Sequence, residues 1–341
     1  MSKKTGLRDF TSRILIGISI LMVVLILVAC EPQATEQPLE KVTIQLSWAH
    51  QGQFAGFYAA EELGYYAEEG LDATMLPLAV PGDDTIATVM DGNADFGLSY
   101  GAGIVIGRSK ASSVTAIATI HRRHPLAFMT LSDSGITKPQ DFPGHSIRKL
   151  VPGSSAVAFQ AVMTNLGLDP DSVKQVDVGF DLSPFLMGDL DIWPAFIINE
   201  VLTARESGYD VNLILPDDYG VHLYGITLFT TDMLVQDNPD LVLRFLRATL
   251  KGWRWAVENP EEAGRFAMKY DPTLDENLQA ESMKAAVPLV HTGDDQIGWM
   301  RAEIWGDMHD LLLDQELLDE PFNVDDVYTM EFLNEIYKSE P

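Results

Sequence analysis

Trp48, Gln51 and Phe54 stand close together in the segment LSWAHQGQFAGF. An indole, a phenyl ring and an amide that both donates and accepts hydrogen bonds suit a flat heterocycle, which needs a stacking face and a recognised edge. The competing reading is that Trp48 and Phe54 are core. Gly52 and Gly56 would keep the backbone slim around these side chains. A second group, Gly153-Ser154-Ser155, opens a helix-forming stretch. Free N–H groups and two hydroxyls there would hold a carboxylate, a phosphate or a ring carbonyl. An ordinary serine cap accounts for the same residues. A third group is Asp191-Ile192-Trp193-Pro194-Ala195-Phe196-Ile197-Ile198-Asn199-Glu200. The Glu200 carboxylate would accept from ring N–H or hydroxyl groups. Asn199 would touch a ligand or cap a helix, and Trp193 and Phe196 belong to a cleft or to core. Tyr100, beside Gly101, and Tyr224, at the start of a β-rich run, are further aromatic candidates.

None of these groups makes catalytic apparatus. No base accompanies Ser154 or Ser155, and the seven histidines show no HExxH spacing. The lone cysteine, Cys30, permits neither an internal disulfide nor a cysteine-rich metal site. The expectation is a chain with no catalytic residue, no metal and no resident cofactor. His121-Arg122-Arg123-His124 is a local basic cluster, read as an anion site or a solvated loop.

The elements that must position these residues alternate. Leu46–Pro77 reads as strand end, aromatic loop, helix, glycine stop and second strand, with Trp48 where the first strand gives way to the helix. In an open α/β sheet ligands bind at such points. Asp84–Asp91 reads as a short helix, Ala94–Gly97 as a strand and Ile104–Ser109 as a helical stub. Val114–Ile120 and Leu126–Leu131 are β-rich, and Ser132-Asp133-Ser134-Gly135 is a turn. The alternation then repeats, with strands at Ser146–Leu150, Val173–Phe180, Ile192–Ile198 and Val211–Leu215. Helices are expected from Gly153 to Leu166 and over Asn199–Ser207. Tyr224–Thr230 reads as a returning strand. Beyond it the chain is helical, with Asn238-Pro239 and Asn259-Pro260 as start signals. The fold class is therefore α/β, in two lobes joined by two crossings. Residues 41–131 and 226–341 are assigned to lobe 1 and 132–225 to lobe 2, with the helical C-terminal section on lobe 1.

Lys3, Lys4, Arg8 and Arg13 precede an uncharged, almost wholly apolar run, Ile14–Ala29. The run is short for a bilayer span, which needs about 20 residues, and fits a secretory signal. It ends Leu27-Val28-Ala29-Cys30, which resembles a bacterial lipobox. Residues 1–29 are thus expected to be a lipoprotein signal peptide, Cys30 a diacylated N-terminus and residues 30–40 a tether. The net charge of the full chain is −27. That argues against nucleic-acid binding, which needs a basic face, and against lying flat on an anionic membrane. The hydrophobic content of 46% is that of a globular protein with a core.

The opening β-α-β segment, the stretch Asp177–Glu200 and the stretch Asp218–Trp255 resemble the solute-binding proteins that deliver thiamine pyrimidine precursors or riboflavin to ABC importers. The resemblance runs from Val42 to about Ala263. It implies a two-lobe clamshell of the periplasmic-binding-protein type II, lipid-anchored outside the cell membrane. Its implied partners are a small-molecule vitamin and an importer permease, and its expected state is a monomer. With the residues read above, the expected ligand site draws on Trp48, Gln51, Phe54, Tyr100, Ser154, Ser155, Trp193, Asn199, Glu200 and Tyr224.

Pyrimidine-binding members carry Trp, then Pro-Asn two and three residues on, then His at six. Here those places hold His50, Gln51 and Phe54. Phenylalanine in the histidine place offers a broader apolar surface. It points to a larger flat ring, isoalloxazine, and so to riboflavin, with a thiamine pyrimidine precursor as the alternative. The family also contains a eukaryotic enzyme that makes the thiamine pyrimidine from its own histidine, using iron and a cysteine cluster. Phe54 and the single cysteine argue against that chemistry. A sulfonate or nitrate binder on the same fold should show more committed anion groups.

Overall fold

The computed structural model describes residues 38–80, 84–150, 153–293 and 295–339. Cys30 and the lipobox lie outside them, as does nearly all of the expected tether.

The first lobe forms around a five-stranded sheet. β1 (Glu40–Gln45) places Val42 and Ile44 inward with the alternation of a half-buried strand. A 3-10 turn (Gly52–Phe54) leads into α1 (Ala55–Glu62). Gly64, in the left-handed conformation at φ 76°, separates α1 from α2 (Tyr65–Glu68), as only glycine does without strain. β2 (Leu71–Leu76) then pairs parallel to β1 over its whole length. α3 (Thr85–Met90) starts on Asp84, whose carboxylate accepts the N–H groups of Ile86 and Ala87. β3 (Phe96–Tyr100) runs on the other side of β1, two residues later than the sequence suggested. It feeds α4 (Gly101–Ser109), and β4 (Val114–Thr119) follows.

The second lobe begins with β5 (Leu126–Leu131). The sequence places this strand in lobe 1. Instead it is the centre of a second sheet, hydrogen-bonded on one side to β8 and on the other to β9. A β-rich run says that a strand forms, not which sheet it joins, and the turn at Ser132–Gly135 lies inside the second lobe. The remaining elements here are β6 (Ser146–Arg148), α5 (Ser154–Asn165), β7 (Lys174–Val176), α6 (Ser183–Leu186), β8 (Trp193–Phe196), α7 (Glu200–Glu206) and β9 (Val211–Ile214). β6 and β7 pair parallel, and a bridge from Ile147 to Ile192 ties them to the approach to β8. β7 ends earlier than expected, so Phe180 lies in the turn beyond it.

β10 (Ile226–Thr231) returns to the first sheet and inserts antiparallel between β3 and β4, giving the order β2-β1-β3-β10-β4. The two crossings, residues 120–125 and 221–225, run side by side. Ile226 O accepts from the N–H groups of Ile120 (2.8 Å) and His121 (3.0 Å), and Gly225 N donates to His121 O (2.8 Å). A Cβ at Gly225 would stand 2.7 Å from the His121 Cβ and 2.9 Å from Arg123 O, so glycine is what lets the crossings touch.

The C-terminal section is helical: α8 (Asp232–Asp237), α9 (Pro239–Glu258), α10 (Pro260–Arg265), α11 (Glu276–Val290), α12 (Ala302–Asp314) and α13 (Glu331–Ser339). Asn238 caps α9, as Asn-Pro predicts, accepting from Leu241 N. α9 crosses α1 at Gly56 and Gly252. A Cβ on Gly56 would overlap the Trp253 ring, and one on Gly252 would overlap the Gly56 carbonyl. Gly52 meets α11, donating its N–H to Gln279 Oε1 (2.8 Å). These glycines therefore serve helix packing, not the approach of a ligand. Bridges from Ala116 to Tyr328 and from Thr119 to Gly298 seat the same section on β4. The C-terminal section thus belongs to the first lobe. Among the described residues no helix is long and apolar enough to cross a membrane.

Candidate ligand-binding site

A connected cluster of rings and charges joins the lobes where β1 and β3 end. Trp48, in the loop after β1, meets the exposed Phe180 of the second lobe edge-on, with ring centroids 6.0 Å apart. Phe180 in turn lies over the Arg148 guanidinium (4.9 Å), whose other ring neighbour is Trp193 (5.2 Å). On the far side, Tyr100 at the end of β3 contacts His124 (4.8 Å) and Phe196 (5.9 Å), which also touch each other (5.6 Å). Glu200, at the start of α7, feels both halves. Its charge helps hold the Tyr100 phenol up, after burial, and the Arg148 charge draws the Glu200 carboxyl down.

Glu200 Oε2 accepts the Phe196 N–H at 2.8 Å, which pins the carboxylate against the end of β8. Burial pushes its carboxyl above the ordinary value, and this outweighs the N–H donors and Arg148. Asn199 enters α7 without a side-chain cap, so capping does not account for its amide. Arg148 ends β6 and is 7% exposed. Its Nη1 donates to Gly179 O (3.3 Å), and its enclosed Nε has no partner. Burial lowers its basicity, against the pull of Glu200 and Asp177.

Most of the other expected site residues lie outside this cluster. Phe54 is fully buried in the first-lobe core. Tyr224 is 2% exposed and turned toward the C-terminal section. Its hydroxyl accepts the Arg301 N–H (2.7 Å) and its ring meets Trp305 at 5.2 Å. Burial pushes its phenol up to about 12. Gln51 is half-buried at the mouth of the 3-10 turn, its carbonyl accepting from Phe54 N (3.1 Å). Ser154 and Ser155 open α5 half-buried, with no side-chain cap bond. Trp193 is 1% exposed and packs with Phe185, but its ring also floors Arg148.

Three cluster members were missed. Arg148 is one arginine at a strand end, with no motif around it. Phe180 was read as part of a longer strand. His124 belongs to the basic cluster that the sequence offers as an anion site or a solvated loop, and the fold encloses its histidines instead. His121 is fully buried, and Arg122 is tied to Asp295 and Thr292 of the C-terminal section. His124 Nδ1 accepts from Leu126 N (3.2 Å), and its imidazole is held neutral by burial, down at about 3.

The NMT1/THI5-like family profile matches residues 51–263. The chain belongs to this family. A formylaminopyrimidine-binding protein of Halalkalibacterium halodurans is 27% identical over 92% of this chain and 97% of its own. A riboflavin-binding protein, RibY, of Chloroflexus aurantiacus is 27% identical over 89% of each. A 4-amino-5-hydroxymethyl-2-methylpyrimidine phosphate synthase of Legionella pneumophila is 26% identical over 86% of this chain and 92% of its own. The periplasmic aliphatic sulphonate-binding protein SsuA of Escherichia coli superposes with a TM-score of 0.67 at 13% identity, over 84% of this chain and 91% of that one. The NMT1/THI5-like chain therefore has the α/β periplasmic-binding-protein fold, and its relatives include both solute-binding proteins and synthases.

Proposed function

We propose that this protein is the lipid-anchored solute-binding component of an ABC importer and that its ligand is riboflavin. The observation that carries the reading is the cluster spanning both lobes. Trp48 and Tyr100 come from the first, and Arg148, Phe180, Phe196 and Glu200 from the second. A ligand shifts an opening–closing equilibrium only by contacting the two states differently, and groups from both lobes supply that difference. The relative named as riboflavin-binding and the fold shared with SsuA support it. So does the chemistry of the cluster, where flat faces and polar edge groups stand together without a nucleophile–base pair.

A planar ring stacked between Trp48 and Phe180 requires these rings to part from 6.0 Å to roughly 7–8 Å, since stacked rings such as Phe96 and Phe245 stand 3.8 Å apart. Phe180 is 57% exposed and can yield. The second reading, a thiamine pyrimidine precursor, is favoured by one observation: Phe54 is sealed in core, so it does not widen the site as its place in the sequence suggested. The deciding experiment titrates riboflavin and 4-amino-5-hydroxymethyl-2-methylpyrimidine into the protein while following tryptophan emission and small-angle scattering. Riboflavin should quench Trp48 and compact the wild type, and Glu200→Ala should reduce both effects. Tighter binding of the pyrimidine would overturn the ligand. Conversion of either compound would overturn the transport reading.

A further inference from the structure

Arg148 is an enclosed cation whose hydrogen-bonding capacity is mostly unspent. A guanidinium carries five N–H donors and no acceptor. Here one bond is made, Nη1 to Gly179 O at 3.3 Å, and the buried Nε–H has no partner. Its positive charge, by contrast, is provided for. The Phe180 and Trp193 rings lie at 4.9 and 5.2 Å, and Glu200 and Asp177 attract it. Neither carboxylate hydrogen-bonds to it: Asp177 pairs with Lys149, Glu200 accepts the Phe196 N–H, and the bond Arg148 makes goes to Gly179 O. What Arg148 lacks is an acceptor, not a counter-charge. Leaving a buried donor unpaired is costly, and a native structure keeps such a group where something else completes it.

We propose that Arg148 is the specificity-determining residue of the site and takes the oxo edge of an uncharged heteroaromatic ligand in its guanidinium plane. This rests on the riboflavin reading and deepens it. A donor-only group accepts nothing from an exocyclic amine, so Arg148 selects a ring carbonyl over an amino group. Phe180, which covers the guanidinium from one side and meets Trp48 on the other, links the stacking face to this polar edge.

The test compares lumiflavin, a neutral dioxo tricycle, with phenazine, a tricycle of similar outline without oxo groups. Methanesulfonate serves as the anionic probe. Wild type should bind lumiflavin more than about tenfold tighter than phenazine, as hydrogen bonds to a charged group allow. Arg148→Met keeps the apolar stem between Phe180 and Trp193. It should weaken lumiflavin about ten- to a hundredfold while leaving phenazine within about threefold. Arg148→Lys, which keeps the charge but not the planar fork, should narrow the same ratio and serves if the methionine variant does not fold. A lumiflavin-to-phenazine ratio unchanged in a folded variant overturns the assignment of Arg148 while leaving the riboflavin reading standing. Methanesulfonate binding tighter than lumiflavin overturns the choice of a neutral oxo edge. Failure of the wild type to bind any flavin overturns both.

Discussion

His121 sits in the first crossing with no exposed surface and with both ring nitrogens lacking a partner. Burial lowers its imidazole from 6.5 to about 3. The folded protein therefore keeps it neutral where the unfolded chain protonates it. A depressed folded value contributes stability that is present above pH 6.5 and is lost as pH falls towards 3. At pH 5 the unfolded state gains protonation free energy that the folded state forgoes, worth about 2 kcal/mol. The perturbation is His121→Phe, close in shape and free of the two orphaned nitrogens, so near-neutral in cost at pH 7.5. Urea unfolding of both proteins at pH 7.5 and 5.0 is the assay. The wild type should lose about 2 kcal/mol more than the variant over that interval. Parallel losses would refute the claim that this imidazole is kept neutral beside Trp253, 5.9 Å away.

Three further outcomes are expected. Gly225→Ala should destabilise the fold by about 1–3 kcal/mol by forcing the crossings apart, seen as a lower urea midpoint; an unchanged midpoint would contradict the 2.7 Å approach to His121. Ligand affinity should fall on acidification through the raised Glu200 value, because the ionised carboxylate accepts a ring N–H more strongly than the neutral acid does, and Glu200→Gln should flatten that dependence; a pH response retained in the variant assigns it to another group. Cys30→Ala should release the protein from the membrane fraction or leave it unprocessed, read by fractionation and intact mass; a wild type already soluble with residues 1–29 attached contradicts the lipid anchor.

The elements were legible in the sequence where local rules fix them. Asp84 and Asn238 cap the helices their side chains announce, and β5 falls on the residues expected. Sheet membership was not legible, because the partners of β5 lie more than fifty residues away at β8 and β9. Within the proposed cluster, Trp48 and Glu200 were visible because an aromatic at a strand-to-helix switch and a carboxylate at a helix start are local signals. Arg148 and Phe180 were not, since their meaning comes from each other and from Trp193. Phe54 and Tyr224 are buried in the first lobe, outside the cluster. The C-terminal helices close over this part of the first lobe, and no local pattern says which faces they cover.

The most direct test of the central claim is to purify the protein from a flavin-containing source and measure what it carries. The account predicts a yellow protein with quenched flavin fluorescence, releasing unmodified riboflavin on denaturation in a mass-spectrometric assay, and Trp48→Ala weakening rebinding by about 5- to 150-fold. A colourless protein that rebinds no flavin, or one that releases a converted product, would contradict it.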